Sequence, residues 1–170
     1  MSDNIMRTPK IARVVLSAGA VDKDLEKAKK LLELISGKKA QITKSGPRMR
    51  IPAFGVKPKM ELGTNVTLRG AEALEVLRRL LGAIDNQLRV QQIDKNNFSF
   101  GIPEYINIPG MKYARDIGIR GFNVTVVFER PGVRVKKRKI KPGRVPAKQH
   151  VSPEEIIEFM KKTFKTEVKE

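Results

Sequence analysis

The chain has 170 residues, with 35 Lys and Arg against 18 Asp and Glu, a formal net charge of +17. That length suits one domain, or one domain and a tail, and a hydrophobic share of 40% excludes a wholly disordered chain. The absence of Cys excludes disulfides, thiol catalysis and thiolate metal sites, and no apolar run approaches the roughly 18 residues that a membrane span needs.

Ile11 to Ser17 alternates, with Ala12, Val14 and Leu16 on one face, and is expected to be a strand. Ser17-Ala18-Gly19-Ala20 is expected to turn the chain. A helix capped by Asp22 or Asp24 then runs to about Ile35, with Leu25, Ala28, Leu31, Leu32 and Ile35 on one stripe and Gly37 as its stop. Gln41 to Lys44 is a short strand candidate. Gly46 to Lys59 holds Pro47, Pro52, Gly55 and Pro58 and reads as a long loop, which compact domains usually keep for function. Asn65 to Arg69 is a strand.

Gly70 opens a second helix, expected to reach Leu88 along Leu74, Leu77, Leu81, Ile84 and Leu88. Phe98 to Ile102 and Tyr105 to Ile108 read as short strands separated by Pro103, and Met111 to Arg120 as a loop. Phe122 to Glu129 is the clearest strand, with Phe122, Val124, Val126 and Phe128 on one face. Ser152-Pro153-Glu154-Glu155 is a capping box with Pro at the first helical position, opening a helix with Ile156, Phe159, Met160 and Phe164. Strands and helices without regular βαβ alternation predict an α+β fold on an antiparallel sheet. We expect a body over residues 1–132, containing the basic loop 46–60, and a basic extension with a closing helix over 133–170.

The charge is concentrated. Lys38 to Met60 carries seven basic residues and no acid, and Val133 to His150 carries eight and no acid. A plain solvated face would mix both signs. Two acid-free runs on a near-neutral body point to a polyanion, with nucleic acid ahead of an anionic membrane surface. A membrane-surface helix would need a strong apolar face flanked by basic residues. The last helix has Lys161, Lys162 and Lys165, but Glu154, Glu155 and Glu158 share it.

Catalytic signatures are missing from the sequence. It has no metalloprotease, phosphate-loop or nucleophile-elbow motif, and no acidic cluster has metal-ligand spacing. The single His, His150, lies beside Lys148 in the basic run and suits a phosphate or water contact better than a general base. Gly118-Ile119-Arg120-Gly121 has the G-x-x-G form of one RNA-binding loop, but a strand follows at once, so a turn is expected. Arg120-Gly121-Phe122 begins like an RRM motif, yet Asn123, Val124, Thr125 and Val127 lack its stacking rings. Phe54 lies within the basic loop, where it either stacks on a base or anchors the loop to the body.

Five segments together carry a resemblance. They are Leu32-Glu33-Leu34-Ile35-Ser36-Gly37-Lys38-Lys39-Ala40-Gln41-Ile42-Thr43-Lys44, then Ala53-Phe54-Gly55-Val56-Lys57, Val66-Thr67-Leu68-Arg69-Gly70, Asn97-Phe98-Ser99-Phe100-Gly101-Ile102 and Ile106-Asn107-Ile108-Pro109-Gly110. Their order and spacing resembles large ribosomal subunit protein five, the universal 5S-rRNA-binding family (numbered eleven in eukaryotes), over about residues 8–130. The tail looks like the archaeal branch. The resemblance implies an antiparallel sheet with helices on one face, and a cytoplasmic, ribosome-bound, non-enzymatic protein without cofactor or metal. It implies contacts with 5S and 23S rRNA, P-site tRNA, neighbouring large-subunit proteins and a small-subunit protein across the interface, with no membrane partner.

Carried over residue by residue, the resemblance implies 5S rRNA contacts at Ser17, Gly19, Lys38, Thr43, Lys44, Phe54 and Thr67. It implies a tRNA-facing loop offering Arg48, Arg50, Lys57 and Lys59. The charge run itself adds Arg134, Lys136, Lys137, Arg138, Lys139, Lys141 and Arg144 as an rRNA-binding tail. Ser17 stands where the family usually has Asn, and Lys38 where it usually has Gln, so a polar group is kept at both. A non-ribosomal RNA-binding module is the alternative reading.

Overall fold

The computed structural model describes residues 4–169. The opening Met1-Ser2-Asp3 and the terminal Glu170 lie outside the described residues. In chain order the elements are β1 (Lys10–Gly19), α1 (Lys23–Ser36), β2 (Gln41–Lys44), β3 (Glu61–Leu68), α2 (Ala71–Gly82), β4 (Gln87–Arg89), β5 (Ile93–Asp94), β6 (Asn97–Ile102), β7 (Phe122–Glu129), the single turn α3 (Arg134–Lys137), α4 (Pro153–Phe164) and β8 (Glu167–Lys169). Six strands form one sheet in the order β2-β3-β1-β7-β6-β5, and β4 pairs with β8 in a second, parallel ribbon. The fold is α+β on an antiparallel sheet, as expected.

The chain divides into two compact units, one of residues 15–68 and 101–124, the other of residues 4–14, 69–100 and 125–169. In the first unit, α1 buries Leu25, Ala28, Leu31, Leu32 and Ile35, the whole expected stripe, and packs on β3. Gly37 ends it in the left-handed conformation with φ +65°, where its N–H donates to Glu33 O at 2.8 Å. Asp22 occupies the N-cap position, but its side chain makes no capping hydrogen bond. β2 and β3 pair antiparallel with Gln41 opposite Asn65 and Thr43 opposite Gly63, and a bulge after Thr43 brings Lys44 opposite Glu61. Gly63 is required here, since a Cβ would lie 2.9 Å from Ala18 O.

Two expectations in this unit are corrected. Ser17, Ala18 and Gly19 continue β1 instead of turning, with Ala18 buried. Tyr105–Asn107 is a 3-10 turn and not a strand. Tyr105 is fully buried, and its hydroxyl accepts the Ala114 N–H at 2.8 Å, so the ring ties down the loop that follows.

In the second unit, β6 and β7 bury Phe98, Phe100, Val126 and Phe128. Phe159 of α4 meets Phe128 edge-on at 5.5 Å between ring centroids. The capping box of α4 forms: Ser152 N–H donates to Glu155 Oε2 at 3.1 Å, and Glu155 N–H donates to Ser152 Oγ at 3.4 Å.

The second helix departs from expectation. α2 stops at Gly82 and buries Ala73, Val76, Leu77, Leu80 and Leu81, while Leu74 is exposed. Asp85 and Asn86 both have positive φ, which reverses the chain, and Leu88 is buried from strand β4 instead. A run with leucines on adjacent stripes fits two helical faces, and packing chose between them.

Candidate nucleic-acid interface

Strand alternation sorts the first unit into two faces. Val66 and Leu68 of β3, Leu16 and Ala18 of β1, and Phe122 and Val124 of β7 are buried on one side. The alternate positions carry Gly63, Asn65 and Thr67 of β3, Thr43 and Gln41 of β2, Ser17 and Gly19 of β1, Asn123 of β7 and Gly101 of β6. This second face is built of hydroxyls, amides and glycines and carries no charge at these positions. Asn65 Nδ2 donates to Thr43 Oγ1 at 3.4 Å, linking the two edge strands across it.

At the strand ends the face opens into a shallow cleft of about 390 Å³ lined by Ser17, Gly19, Gly101, Pro103, Gly121 and Asn123. Glycine makes it shallow and close to backbone. Nothing lies within 4 Å of a Cβ built on Gly19, so that position is open. Gly121 is the opposite case: a Cβ there would lie 2.6 Å from both Ile102 O and Pro103 O. The Gly118–Gly121 segment is accordingly a turn into β7. Arg120, within it, forms an ion pair with Asp24 at 2.6 Å.

Of the seven residues that the resemblance carries over, Ser17, Gly19, Thr43 and Thr67 lie on this polar face. Lys38 is exposed just beyond the stop of α1. Lys44 stands at the sheet edge, ion-paired with Glu61 at 3.0 Å. Phe54 lies on the loop, away from the strands.

The loop has internal order. Ser45 is buried and closes its neck: its N–H donates to Met60 O at 2.8 Å, its hydroxyl donates to Lys57 O at 2.6 Å, and it accepts the Met60 N–H at 3.0 Å. Ile51 and Val56 exchange two backbone hydrogen bonds, each of 3.1 Å. The tight turn between them is Pro52–Phe54 with Gly55 at φ +65°. Phe54 is 82% exposed at this tip, so it does not anchor the loop to the body. Arg48, Arg50, Lys57 and Lys59 are all exposed around it.

In the second unit the basic run is folded back and fastened at several points. Arg130 donates to Lys148 O at 3.0 Å and grips Glu155 through Nη2 at 2.5 and 2.6 Å. Gln149 Nε2 donates to Pro131 O at 2.9 Å. Lys137 is ion-paired with Glu129, and Arg138 Nε donates to Lys141 O at 2.6 Å. Arg134, Lys136, Lys139, Lys141 and Arg144 remain exposed. His150 faces Asn96, its Nδ1 lying 2.6 Å from Asn96 Nδ2.

Sequence reasoning missed Gln41, Asn65, Gly101 and Asn123. Their signal was present as the polar half of each strand's alternation, but it reads as ordinary solvent exposure until the strands are placed side by side. It also missed Arg130 and Asn96, whose partners are 25 and 54 residues away. Among the described residues, no group of three or more His, Cys, Asp or Glu stands together to hold a metal, and no helix is long and apolar enough to cross a membrane.

Residues 61–159 match the family model for the C-terminus of the ribosomal protein uL5 family. Curated relatives named large ribosomal subunit protein uL5 align over nearly the whole chain. The one from Methanosphaera stadtmanae is 39% identical, covering 95% of this chain and 96% of its own. The one from Nanoarchaeum equitans is 38% identical over 91% and 92%, and that from Methanococcoides burtonii 38% over 97% and 98%.

Proposed function

The chain belongs to the ribosomal protein uL5 family, in its archaeal form, and from that premise we propose that it binds 5S rRNA through the uncharged polar face of its first unit. Family membership makes it a structural component of the large ribosomal subunit, working in translation beside rRNA and neighbouring ribosomal proteins.

The observation that carries the 5S reading is the face itself. A-form RNA hides its bases in a deep, narrow major groove and displays 2′-hydroxyls and phosphates on a wide, shallow minor groove. Short hydroxyls and amides at Ser17, Thr43, Asn65, Thr67 and Asn123 suit 2′-hydroxyls and phosphate oxygens. Gly19 and Gly101 let an RNA backbone approach the strands closely. Lys38 and Lys44 supply charge at the margin.

The exposed loop, with Arg48, Arg50, Lys57 and Lys59 around Phe54, is read as the tRNA-facing element. Residues 133–170 serve as a basic extension of the body of 1–132, placing Arg134, Lys136, Lys137, Arg138, Lys139, Lys141 and Arg144 against 5S or 23S rRNA. The small-subunit contact is assigned to the same loop side. The role is one of assembly and positioning, not catalysis.

A filter-binding titration against purified 5S rRNA with excess tRNA competitor tests the reading. Tight, saturable binding that survives the competitor and is weakened by Thr67→Ala with Asn123→Ala supports it. Equal affinity for any RNA, unmoved by that variant, leaves only nonspecific charge and sinks it.

A further inference from the structure

We propose that the cavity beneath the folded-back basic segment holds a single unstacked nucleotide of an RNA partner. The proposal rests on the RNA-binding reading but assigns a site of different chemistry from the flat polar face. The cavity is about 410 Å³, within the roughly 300–1,000 Å³ typical of small-ligand sites. It lies wholly in the second unit. Arg13 of β1 and Val127 of β7 form one wall, and Val133, Val145, Gln149 and His150 of the returning chain form the other.

Its apolar walls are unusual for so basic a segment. Val127, Val133 and Val145 are all only half-buried, because they border open space in place of packed neighbours. Aliphatic walls of this kind suit the two faces of a planar ring. The edge of such a ring needs a donor and an acceptor, and both are supplied. Gln149 uses its Nε2 on Pro131 O, so its Oε1 is left to accept. Val151 N–H donates to Asn96 Oδ1 at 2.7 Å, which fixes the orientation of that carboxamide. Its Nδ2 therefore donates to His150 Nδ1, and the neutral ring carries its proton on Nε2 as a free donor.

The rim supplies the anion partner. Lys136 and Arg13 both line the cavity, are exposed, and make no ion pair among the described residues. Glu129 is occupied by Lys137, and Glu155 by Arg130, so neither acid opposes a phosphate there. Flat apolar walls, a donor–acceptor edge and two rim cations match a base with its phosphate. RNA proteins commonly take up bases that are splayed out from loops and bulges.

The test uses the full chain and two RNA duplexes, identical except that one carries a single bulged 2-aminopurine. With the native protein, the bulged duplex should bind about tenfold tighter than the paired one, and the 2-aminopurine fluorescence should rise as the base leaves its stack. Val145→Phe, which fills the cavity, should abolish both the rise and the tenfold preference while leaving the paired duplex unaffected. Arg13→Gln with Lys136→Gln, both at exposed positions, should reduce the preference severalfold and decides the matter if the phenylalanine variant fails to fold. Equal binding of both duplexes with no fluorescence change overturns the site while leaving RNA binding intact. Failure to bind either duplex at low salt overturns the RNA reading itself. Displacement of the signal by micromolar AMP would make the occupant a soluble nucleotide and overturn its assignment to RNA.

Discussion

Asn96 and Val151 are joined by a reciprocal pair of hydrogen bonds across 55 residues: Val151 N–H donates to Asn96 Oδ1 at 2.7 Å, and Asn96 N–H donates to Val151 O at 3.2 Å. Asn96 O also accepts the Phe128 N–H at 2.7 Å, and its Nδ2 reaches His150. The residue sits at φ +64°, a conformation Asn tolerates better than most residues. One side chain thus fastens the end of the basic run to the sheet.

Asn96→Ala is expected to destabilise the protein by about 2–3 kcal/mol, combining two lost side-chain hydrogen bonds at roughly 1 kcal/mol each with left-handed strain. Asn96→Gly removes the strain and should recover only about 1 kcal/mol of that. Urea unfolding of the two variants separates the contributions. Limited proteolysis should cut the 133–150 segment faster in both.

Two glycines on the same face should behave oppositely. Gly121→Ala forces a Cβ to within 2.6 Å of two backbone carbonyl oxygens, which cannot swing away as a side chain would, so a loss of roughly 2–3 kcal/mol is expected. Gly19→Ala meets nothing within 4 Å and should leave the thermal midpoint unchanged within error. Its effect should appear as weaker 5S rRNA binding, because a methyl then stands where the RNA backbone approaches. A Gly19→Ala protein of full RNA affinity would remove Gly19 from the interface.

Glu155 has two tasks, closing the cap of α4 and neutralising Arg130. Arg130 keeps only 10% of its side chain exposed, against 40% for Glu155. Ser152→Ala loses the cap alone and should cost about 1 kcal/mol. Glu155→Gln also leaves a nearly buried guanidinium without its counter-charge, and about 2–4 kcal/mol is expected, below the full buried-pair figure because Glu155 is partly solvated. The order of the two losses in chemical denaturation is the check.

Phe54 and its basic neighbours should matter to RNA and not to folding. Phe54→Ala at the exposed loop tip should shift stability by no more than about 0.5 kcal/mol. Replacing Arg48, Arg50, Lys57 and Lys59 with Gln should flatten the dependence of log K on log salt by about one for each phosphate no longer neutralised. With about six phosphates engaged, the native slope is expected near −4 to −5. Titrations at several salt concentrations give both slopes directly.

What the sequence alone determined were features whose signals are local. The stripe of α1, its stop at Gly37, the alternation of β7 and the capping box at Ser152 each need only a few neighbouring residues to be recognised. The ordered segments around Lys38, Phe54, Thr67 and Gly101 were equally legible and led to the family. Tertiary structure alone decided matters in which several local answers were equally good. The leucines of residues 74–88 fit two helical faces, and packing selected Leu77, Leu80 and Leu81 while passing Leu88 to a strand. The parallel pairing of β4 with β8 joins residues about eighty positions apart, as Gln87 opposite Glu167, and no local pattern encodes it. The polar halves of β1, β2, β3, β6 and β7 became one surface only when the strands were laid in order. The basic run, read as a charged tail, became one wall of a cavity because Asn96, Arg130 and Pro131 hold it back. Charge and periodicity are properties of a segment, whereas a face or a cavity is a property of segments brought together.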